Sequence, residues 1–120
     1  MAQILVVDDD PAILRLLSVL LTSEGMNVRT ADNGERALEI LRETEPDLVV
    51  LDLQMPVMTG DRVFSEARAS RYEGPIIICS AYGAGAARKE LGADAALEKP
   101  FDPDRLIDLV HDLLREARDK

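Results

Sequence analysis

The sequence predicts an α/β fold in which a single doubly wound parallel sheet carries helices on both faces. Three short and nearly continuous apolar runs, at residues 4–7, 48–51 and 76–79, are typical of strands buried on both faces. Amphipathic segments with a helical period separate these runs. The 120 residues are enough for one domain with a real core and too few for two. We therefore expect one domain over residues 1–120.

The first strand and helix are bounded by clear signals. Strand one covers residues 4–7. Helix one begins at Pro11, whose fixed φ suits a first helical turn, with Asp10 as its N-cap. It extends to about Glu24, and Gly25 ends it. The face expected to be buried consists of Ile13, Leu16, Leu17, Leu20 and Leu21.

The second strand, residues 26–31, is predicted nearer an edge because polar residues interrupt it. Asn33 and Gly34 indicate a turn. Helix two covers residues 35–44 and ends before Pro46. Its inward face is expected to contain Ala37, Leu38 and Leu41.

Strand three covers residues 47–51 and leads into Asp52. Helix three is predicted over residues 61–71, and strand four over residues 76–79, ending at Ser80. The inward face of helix three is expected to contain Val63, Phe64 and Ala67.

The last third of the chain is less regular. Residues 82–87 form a loose stretch rich in Gly and Ala, so helix four is expected to be short, over about 86–91, before Gly92. Strand five covers residues 95–97. An Asp–Pro pair at residues 102–103 opens helix five. The face of helix five that contacts the sheet is expected to contain Leu106, Val110, Leu113 and Ala117.

Five strands alternating with five helices favour the flavodoxin-like (βα)5 arrangement, with strand order 2-1-3-4-5. In that order the carboxyl ends of the strands border a crevice where ligands bind. Five polar residues from four strands are predicted to meet there: Asp8, Asp9, Asp52, Ser80 and Lys99.

Each of these residues has an ordinary structural interpretation, such as a helix cap, a strand end or a solvated lysine. Together they are costly, because two carboxylates about 5 Å apart repel by roughly 3 kcal/mol at an effective dielectric of about 20. Oxygen ligands alone favour a hard cation, Mg²⁺ first. A cation, a lysine and a hydroxyl suit phosphoryl transfer, and the sequence contains no Gly-rich nucleotide loop. Asp52 is then the candidate acceptor.

Composition limits the other possibilities. The chain has 23 acids against 14 Lys and Arg, a net charge of −9, which argues against direct binding to nucleic acid or to an anionic membrane. With two Tyr, two Phe and no Trp, the core must be aliphatic. Cys79 is expected to be a buried thiol and His111 a solvated surface residue. The start of the chain has no basic leader, so we expect a cytoplasmic protein.

Four motifs occur in order along the chain. They are Val6-Val7-Asp8-Asp9-Asp10-Pro11, Asp52-Leu53-Gln54-Met55-Pro56-Val57-Met58-Thr59-Gly60, Ser80-Ala81 and Lys99-Pro100-Phe101. With these motifs the chain resembles, over essentially its whole length, the receiver domain of bacterial two-component response regulators, of the chemotaxis-regulator type. The resemblance implies a self-phosphorylating signalling module rather than an enzyme acting on an outside substrate.

The resemblance also implies roles at Asp52 and around it. Asp52 would take a phosphoryl group from the phosphohistidine of a sensor histidine kinase or a histidine phosphotransfer protein. Asp9, Asp52 and the main-chain carbonyl of Gln54 would bind Mg²⁺ directly, and Asp8 would act mainly through metal-bound water. Phosphorylation would then change contacts with a downstream protein that the sequence does not identify.

For the phosphoryl group itself, the resemblance implies that Ser80 hydrogen-bonds to it and that Lys99 pairs with it, with a cis peptide bond before Pro100. In the family an aromatic residue near the last strand turns inward on activation, but the equivalent position here is Ala96. We therefore expect the stretch after Ser80 to become ordered on phosphorylation, with Tyr82 supplying the aromatic contact. Gln54 and Tyr82 also flank the path of the hydrolytic water in the family.

Three other interpretations of the sequence fit it less well. A phosphatase of the haloacid dehalogenase type would need a second Asp two residues after the nucleophile, where this chain has Gln54. A receiver fold used as an unphosphorylated scaffold would not need the intact acid set. A flavodoxin-like electron carrier is disfavoured because the chain has only two Tyr and no Trp to stack on a flavin.

Overall fold

A computed structural model describes residues 1–118, and the last two residues of the predicted domain lie outside the described part. The strands are β1 (Gln3–Val7), β2 (Asn27–Ala31), β3 (Leu48–Asp52), β4 (Ile76–Ser80) and β5 (Ala95–Glu98). The helices are α1 (Pro11–Ser23), α2 (Gly34–Thr44), α3 (Gly60–Ala69), α4 (Ala84–Leu91) and α5 (Pro103–Arg118). All strand pairs are parallel and the order is β2-β1-β3-β4-β5, which confirms the predicted fold class and strand order.

The sheet separates two aliphatic cores. Alternate residues of β1, β3 and β4 point to opposite faces, and both faces are buried, which explains why these strands are continuously apolar. Helices α2 and α3 cover one face, where Leu51 and Ile78 pack. Helices α1 and α5 cover the other, where Val50 and Ile77 pack. Strand β2 lies at an edge, and three of its five residues are exposed, as predicted.

Side-chain caps mark the starts of α1 and α5. The side chain of Asp10 accepts a hydrogen bond of 2.9 Å from the Ala12 N–H, and Pro11 occupies the first turn of α1, as predicted. The Asp102 side chain accepts one of 2.9 Å from the Asp104 N–H at the start of α5.

Several predicted boundaries are wrong by one or two residues, and the starts of α2 and α4 show why. Asn33 and Gly34 do not form an isolated turn: Asn33 is the N-cap of α2, its side chain accepting a hydrogen bond of 2.9 Å from the Arg36 N–H, and Gly34 is the first helical residue. Helix α4 begins at Ala84, two residues earlier than predicted, so the loose stretch is shorter than expected. Its N-cap is Gly83, which adopts a left-handed φ of +73° and supplies no side-chain cap.

Two predicted core positions are also wrong. Leu16 of α1 is 47% exposed, because the helix buries a narrower stripe than its broad apolar surface suggests. Ala117 is exposed near the end of α5, because burial of the helix decreases after Val110 and its last turns lie largely in solvent. Cys79 is buried as predicted, and burial raises the pKa of its thiol to about 12. His111 is a surface residue, with Nε2 2.9 Å from Oε1 of Glu24.

Among residues 1–118, no helix combines the length and the apolar character that crossing a bilayer would require.

Candidate functional site

The topology brings the predicted polar residues to one edge of the sheet. Asp8 follows β1 directly, Asp52 ends β3, Ser80 ends β4, and Lys99 follows β5. Strands β1 and β3 are neighbours, although the chain leaves them in opposite directions, so their carboxyl ends border the crevice. Asp52 is level with Cys79 in the β3–β4 register, one residue before Ser80.

Three carboxylates share this crevice. Asp8, Asp9 and Asp52 each offer one oxygen, and these oxygens lie within 4.8 Å of one another. Asp8 and Asp52 are buried, at 3% and 2% exposure, whereas Asp9 is exposed. Mg²⁺ holds oxygen ligands at about 2.0–2.1 Å, so ligands on opposite sides of the ion are about 4.2 Å apart. Small side-chain adjustments would therefore let this all-oxygen cluster fit a hard divalent cation.

Lys99 is the counter-charge of the cluster. Its Nζ lies 2.7 Å from Oδ2 of Asp8 and 3.4 Å from Oδ1 of Asp52. Burial alone would lower the pKa of Lys99, but the hydrogen bond and charge of Asp8, with the charge of Asp52, outweigh burial and raise it. Lys99 is therefore cationic at neutral pH and partly neutralises the two buried acids. The Lys99–Pro100 peptide bond is cis.

Asp52 is the acid whose charge the site destabilises. Burial, followed by the negative charge of Asp8, raises the pKa of Asp52 to about 6, although Lys99 and a hydrogen bond from the Gln54 N–H act in the opposite direction. A carboxylate with this pKa is mostly ionised at neutral pH, yet it is a better nucleophile than an ordinary aspartate because it is less stabilised by its surroundings.

Ser80 is engaged away from the acids. It is fully buried, and its Oγ lies 2.9 Å from Oε1 of Gln54 and 2.7 Å from the main-chain oxygen of Tyr82. The Ala81 N–H donates to the same Gln54 oxygen at 3.0 Å, and the Tyr82 N–H donates to Ser80 Oγ at 3.3 Å. The involvement of the Gln54 side chain was not predicted, because a glutamine two residues after a strand end gives no sequence signal of where its amide points.

Gly60 is a second residue whose structural role was missed. A Cβ at this position would lie 2.2 Å from the main-chain oxygen of Asp52 and 2.7 Å from the Cα of Leu53. The Gly60 N–H also donates to the Leu53 oxygen at 3.1 Å. Helix α3 therefore begins directly against the backbone that carries Asp52, and only glycine permits this approach.

Ala96 and Tyr82, two of the three expected switch residues, line different grooves. Ala96 lies on β5, level with Ile78, and lines a groove of about 640 Å³ with residues of α4 and α5. Tyr82 is 76% exposed and lines another groove, of about 590 Å³, beside Gln54. Because α4 is already helical from Ala84, any ordering after Ser80 is limited to the few residues that precede the helix.

Comparison with known families decides what this site belongs to. The family model described as the response regulator receiver domain matches residues 4–111. The chain belongs to the response regulator receiver family. A receiver domain is a signalling module of two-component systems, and the acid cluster, Lys99 and Ser80 lie on the sheet edge where the four motifs of this chain meet.

Similar proteins are regulators of the same family. The chain is 39% identical over 119 residues to the transcriptional regulatory protein GlrR of Escherichia coli K12. The aligned region covers 97% of this chain and 27% of GlrR. It is 44% identical over 118 residues to the probable transcriptional regulator ycf27 of Porphyra purpurea, covering 96% of this chain and 48% of that protein. The chain thus spans about a quarter to a half of these relatives' length.

The fold is also that of solved receiver domains. The structure of a CheY-like response regulator receiver domain protein from Methanospirillum hungatei JF-1 superimposes with a TM-score of 0.93 at 28% identity, covering 99% of this chain and 98% of that one. The flavodoxin-like arrangement predicted from strand and helix alternation is therefore that of receiver domains.

Proposed function

We propose that Asp52 accepts a phosphoryl group from the phosphohistidine of a sensor histidine kinase or a histidine phosphotransfer protein, in a Mg²⁺-dependent reaction. Receiver domains of response regulators interact with histidine kinases as a class, so a phosphohistidine is the donor expected for this family. The observation that carries the proposal is the environment of Asp52, a buried carboxylate with a pKa raised to about 6 and a lysine at 3.4 Å.

In the proposed step an ionised Asp52 oxygen attacks phosphorus in line with the histidine nitrogen. The new P–O bond forms as the P–N bond breaks, and the imidazole keeps the electron pair. Lys99 supplies a positive charge beside the negative charge that develops on the phosphoryl oxygens. In this step the Lys99 ammonium exchanges its contacts with the carboxylates for contacts with the phosphoryl group. The Ser80 hydroxyl donates a hydrogen bond to the product once it is released from its present partners.

The residues that would hold Mg²⁺ are Asp8, Asp9, Asp52 and the main-chain carbonyl of Gln54. The cation would supply neutralisation of phosphoryl charge that Lys99 alone cannot provide. Before the reaction, burial and the negative charge of Asp8 raise the pKa of Asp52, and this keeps its carboxylate reactive.

Acetyl phosphate with Mg²⁺ followed by intact-mass measurement tests the proposal. The wild-type chain should gain one phosphoryl group, and Asp52→Ala should gain none. Asp32→Ala is the matched control, because Asp32 is an exposed acid just after β2, on the same edge of the sheet. Modification that persists in Asp52→Ala would refute the assignment.

A measurement of phosphate release, made beside the intact-mass assay, separates the other two functions. Steady phosphate release from varied phosphomonoesters would favour the haloacid-dehalogenase-type phosphatase, and neither modification nor release would favour the unphosphorylated scaffold. The phosphatase is disfavoured because the side chain at its second acid position, Gln54, is neutral and is hydrogen-bonded to Ser80 and Ala81.

The output of the proposed switch is a change in protein–protein contacts with a downstream target. The net charge of −9 and the acidic crevice give no support to direct nucleic-acid binding by these residues.

A further inference from the structure

The side-chain amide of Gln54 collects two hydrogen-bond donors from the end of β4. Its Oε1 lies 2.9 Å from Ser80 Oγ and 3.0 Å from the Ala81 nitrogen. An amide oxygen has two lone pairs, so these two donors fill its capacity. The main-chain N–H of the same residue donates to Oδ1 of Asp52 at 3.2 Å. Gln54 thus connects Asp52 to the end of the neighbouring strand.

These two donors are the ones that an anion on Asp52 would need from β4. Asp52 is level with Cys79 in the sheet, so Ser80 and Ala81 are the next residues beyond it along the neighbouring strand. Ser80 is fully buried and has a single hydroxyl proton, which its close contacts with Gln54 and with the Tyr82 oxygen already engage. The donors therefore have to leave Gln54, and the Ser80 hydroxyl also has to leave the Tyr82 oxygen, before they can serve another oxygen.

We propose that the Gln54 amide oxygen is an internal substitute for one phosphoryl oxygen: it holds the Ser80 hydroxyl and the Ala81 N–H in the unmodified protein and releases both on phosphorylation. This inference rests on the proposed function of Asp52. Gln54 is then a positioning residue that sets the balance between the free and the phosphorylated conformations through its side chain. Its side chain opposes formation of the phosphorylated state, because the phosphoryl group must compete with it for the same two donors.

The surroundings of Gln54 allow the release. Gln54 is exposed, and it lines the groove of about 590 Å³ together with Met55, Thr59 and Tyr82. A displaced amide can enter this open groove, where water satisfies its oxygen. The exchange of partners then leaves no buried polar group unpaired.

Beryllofluoride binding tests the inference, because this phosphoryl mimic is not hydrolysed and so excludes effects of Gln54 on acyl-phosphate lifetime. Gln54→Met keeps the length of the side chain, removes the competing oxygen and leaves the main-chain carbonyl in place. With Mg²⁺ present, its apparent affinity for beryllofluoride should rise about threefold to tenfold over wild type, the value of one net hydrogen bond. Gln3→Met, the same change at the start of β1 and so at the opposite edge of the sheet from the acids, should leave the affinity unchanged.

Amide hydrogen exchange at Ala81 gives a second readout that a general loss of stability would not produce. Without beryllofluoride, the Ala81 amide should exchange faster in Gln54→Met than in wild type, while the neighbouring β4 amides stay protected in both proteins. With beryllofluoride bound, the two proteins should exchange it at the same rate. Equal or weaker beryllofluoride affinity in Gln54→Met, or unchanged Ala81 exchange in the free protein, would overturn the inference.

The two proposals fail in different ways. If wild type bound no beryllofluoride with Mg²⁺, the role of Asp52 as acceptor would be refuted, and Ala81 exchange in the free proteins would still decide whether Gln54 holds that amide. If wild type bound beryllofluoride and Gln54→Met bound it no better, the role of Asp52 would stand and the role of Gln54 would be wrong.

Discussion

Replacing Asp52 with asparagine should stabilise the metal-free protein at pH 8. Asparagine has the shape of a neutral carboxyl group, and its Oδ1 can still accept the hydrogen bond that the Gln54 N–H donates at 3.2 Å. Lys99 keeps its partner, since Asp8 lies 2.7 Å from Nζ. The substitution therefore removes one buried negative charge and little else.

The size of the effect follows from the pKa of Asp52. In the folded protein it is about 6, raised from 3.8 by burial and by Asp8. A raised carboxyl pKa means that the folded state binds the proton more tightly than the unfolded state does. Ionisation of Asp52 therefore costs no folding stability below pH 4. The cost grows between pH 4 and 6 and is complete above pH 6. A shift of about two units corresponds to about 3 kcal/mol. For a domain of this size that is a rise in melting temperature of about 10 °C.

Urea unfolding of wild type and Asp52→Asn at pH 8 and pH 4, with EDTA present, measures this difference. The free energy of unfolding of Asp52→Asn should exceed that of wild type at pH 8, and the two values should converge at pH 4. A difference of the same size at both pH values would mean that ionisation of Asp52 is not its origin. No difference at pH 8 would mean that Lys99 fully compensates the charge.

Three other substitutions test neighbouring features. Asp9→Ala should raise the melting temperature without Mg²⁺ by a few degrees, less than Asp52→Asn, because Asp9 is exposed; an unchanged or lower value would show that the repulsion is overstated. Gly60→Ala should lower the free energy of unfolding by about 2 kcal/mol or more in urea melts, because its Cβ would lie 2.2 Å from the main-chain oxygen of Asp52. Gly85→Ala is the control: it adds a methyl group to open space on α4 and should not lower the free energy of unfolding. Val57→Asn should raise the free energy of unfolding by about 1 kcal/mol, because Val57 is 99% exposed with a left-handed φ of +70°; a loss of stability would contradict this.

The sheet was predictable because its signals are redundant. The three strands with the most continuous apolar runs are buried on both faces. Each one ends at a polar residue or is followed directly by one, and that residue has little freedom to lie elsewhere. Edge strand β2 was also predictable, since only an edge tolerates its polar residues. Strand order then followed from the commonest order for five such strands.

Helix boundaries failed where one signal fits two structures. Asn33-Gly34 suits a turn and also an N-cap followed by a first helical residue, and only the helix that follows decides between them. The start of α4 has no capping side chain, because Gly83 occupies the N-cap, so nothing in the sequence indicates that Ala84 is helical. Leu16 illustrates a third limit, since a broad apolar helix surface does not reveal which stripe contacts the sheet.

The site was predictable in its positions and not in its contacts. Strand ends brought Asp8, Asp52 and Lys99 to one edge, and their separations follow from the sheet. The unequal exposure of Asp8 and Asp9, two adjacent identical residues, depends on which one faces Lys99, and this is a tertiary property. The hydrogen bonds of the Gln54 amide to Ser80 and Ala81 depend on side-chain direction across two strands, which no local pattern encodes.

The most direct test of the account locates the phosphoryl group among the clustered acids. After treatment with acetyl phosphate and Mg²⁺, borohydride reduction of the acyl phosphate and tryptic digestion place Asp52 in the peptide 43–62, and Asp8, Asp9 and Asp10 in the peptide 1–15. Mass spectrometry should find the reduced residue at position 52, and none when Mg²⁺ is removed with EDTA. Modification in the peptide 1–15, or modification of Asp52 at an undiminished rate in EDTA, would contradict the account.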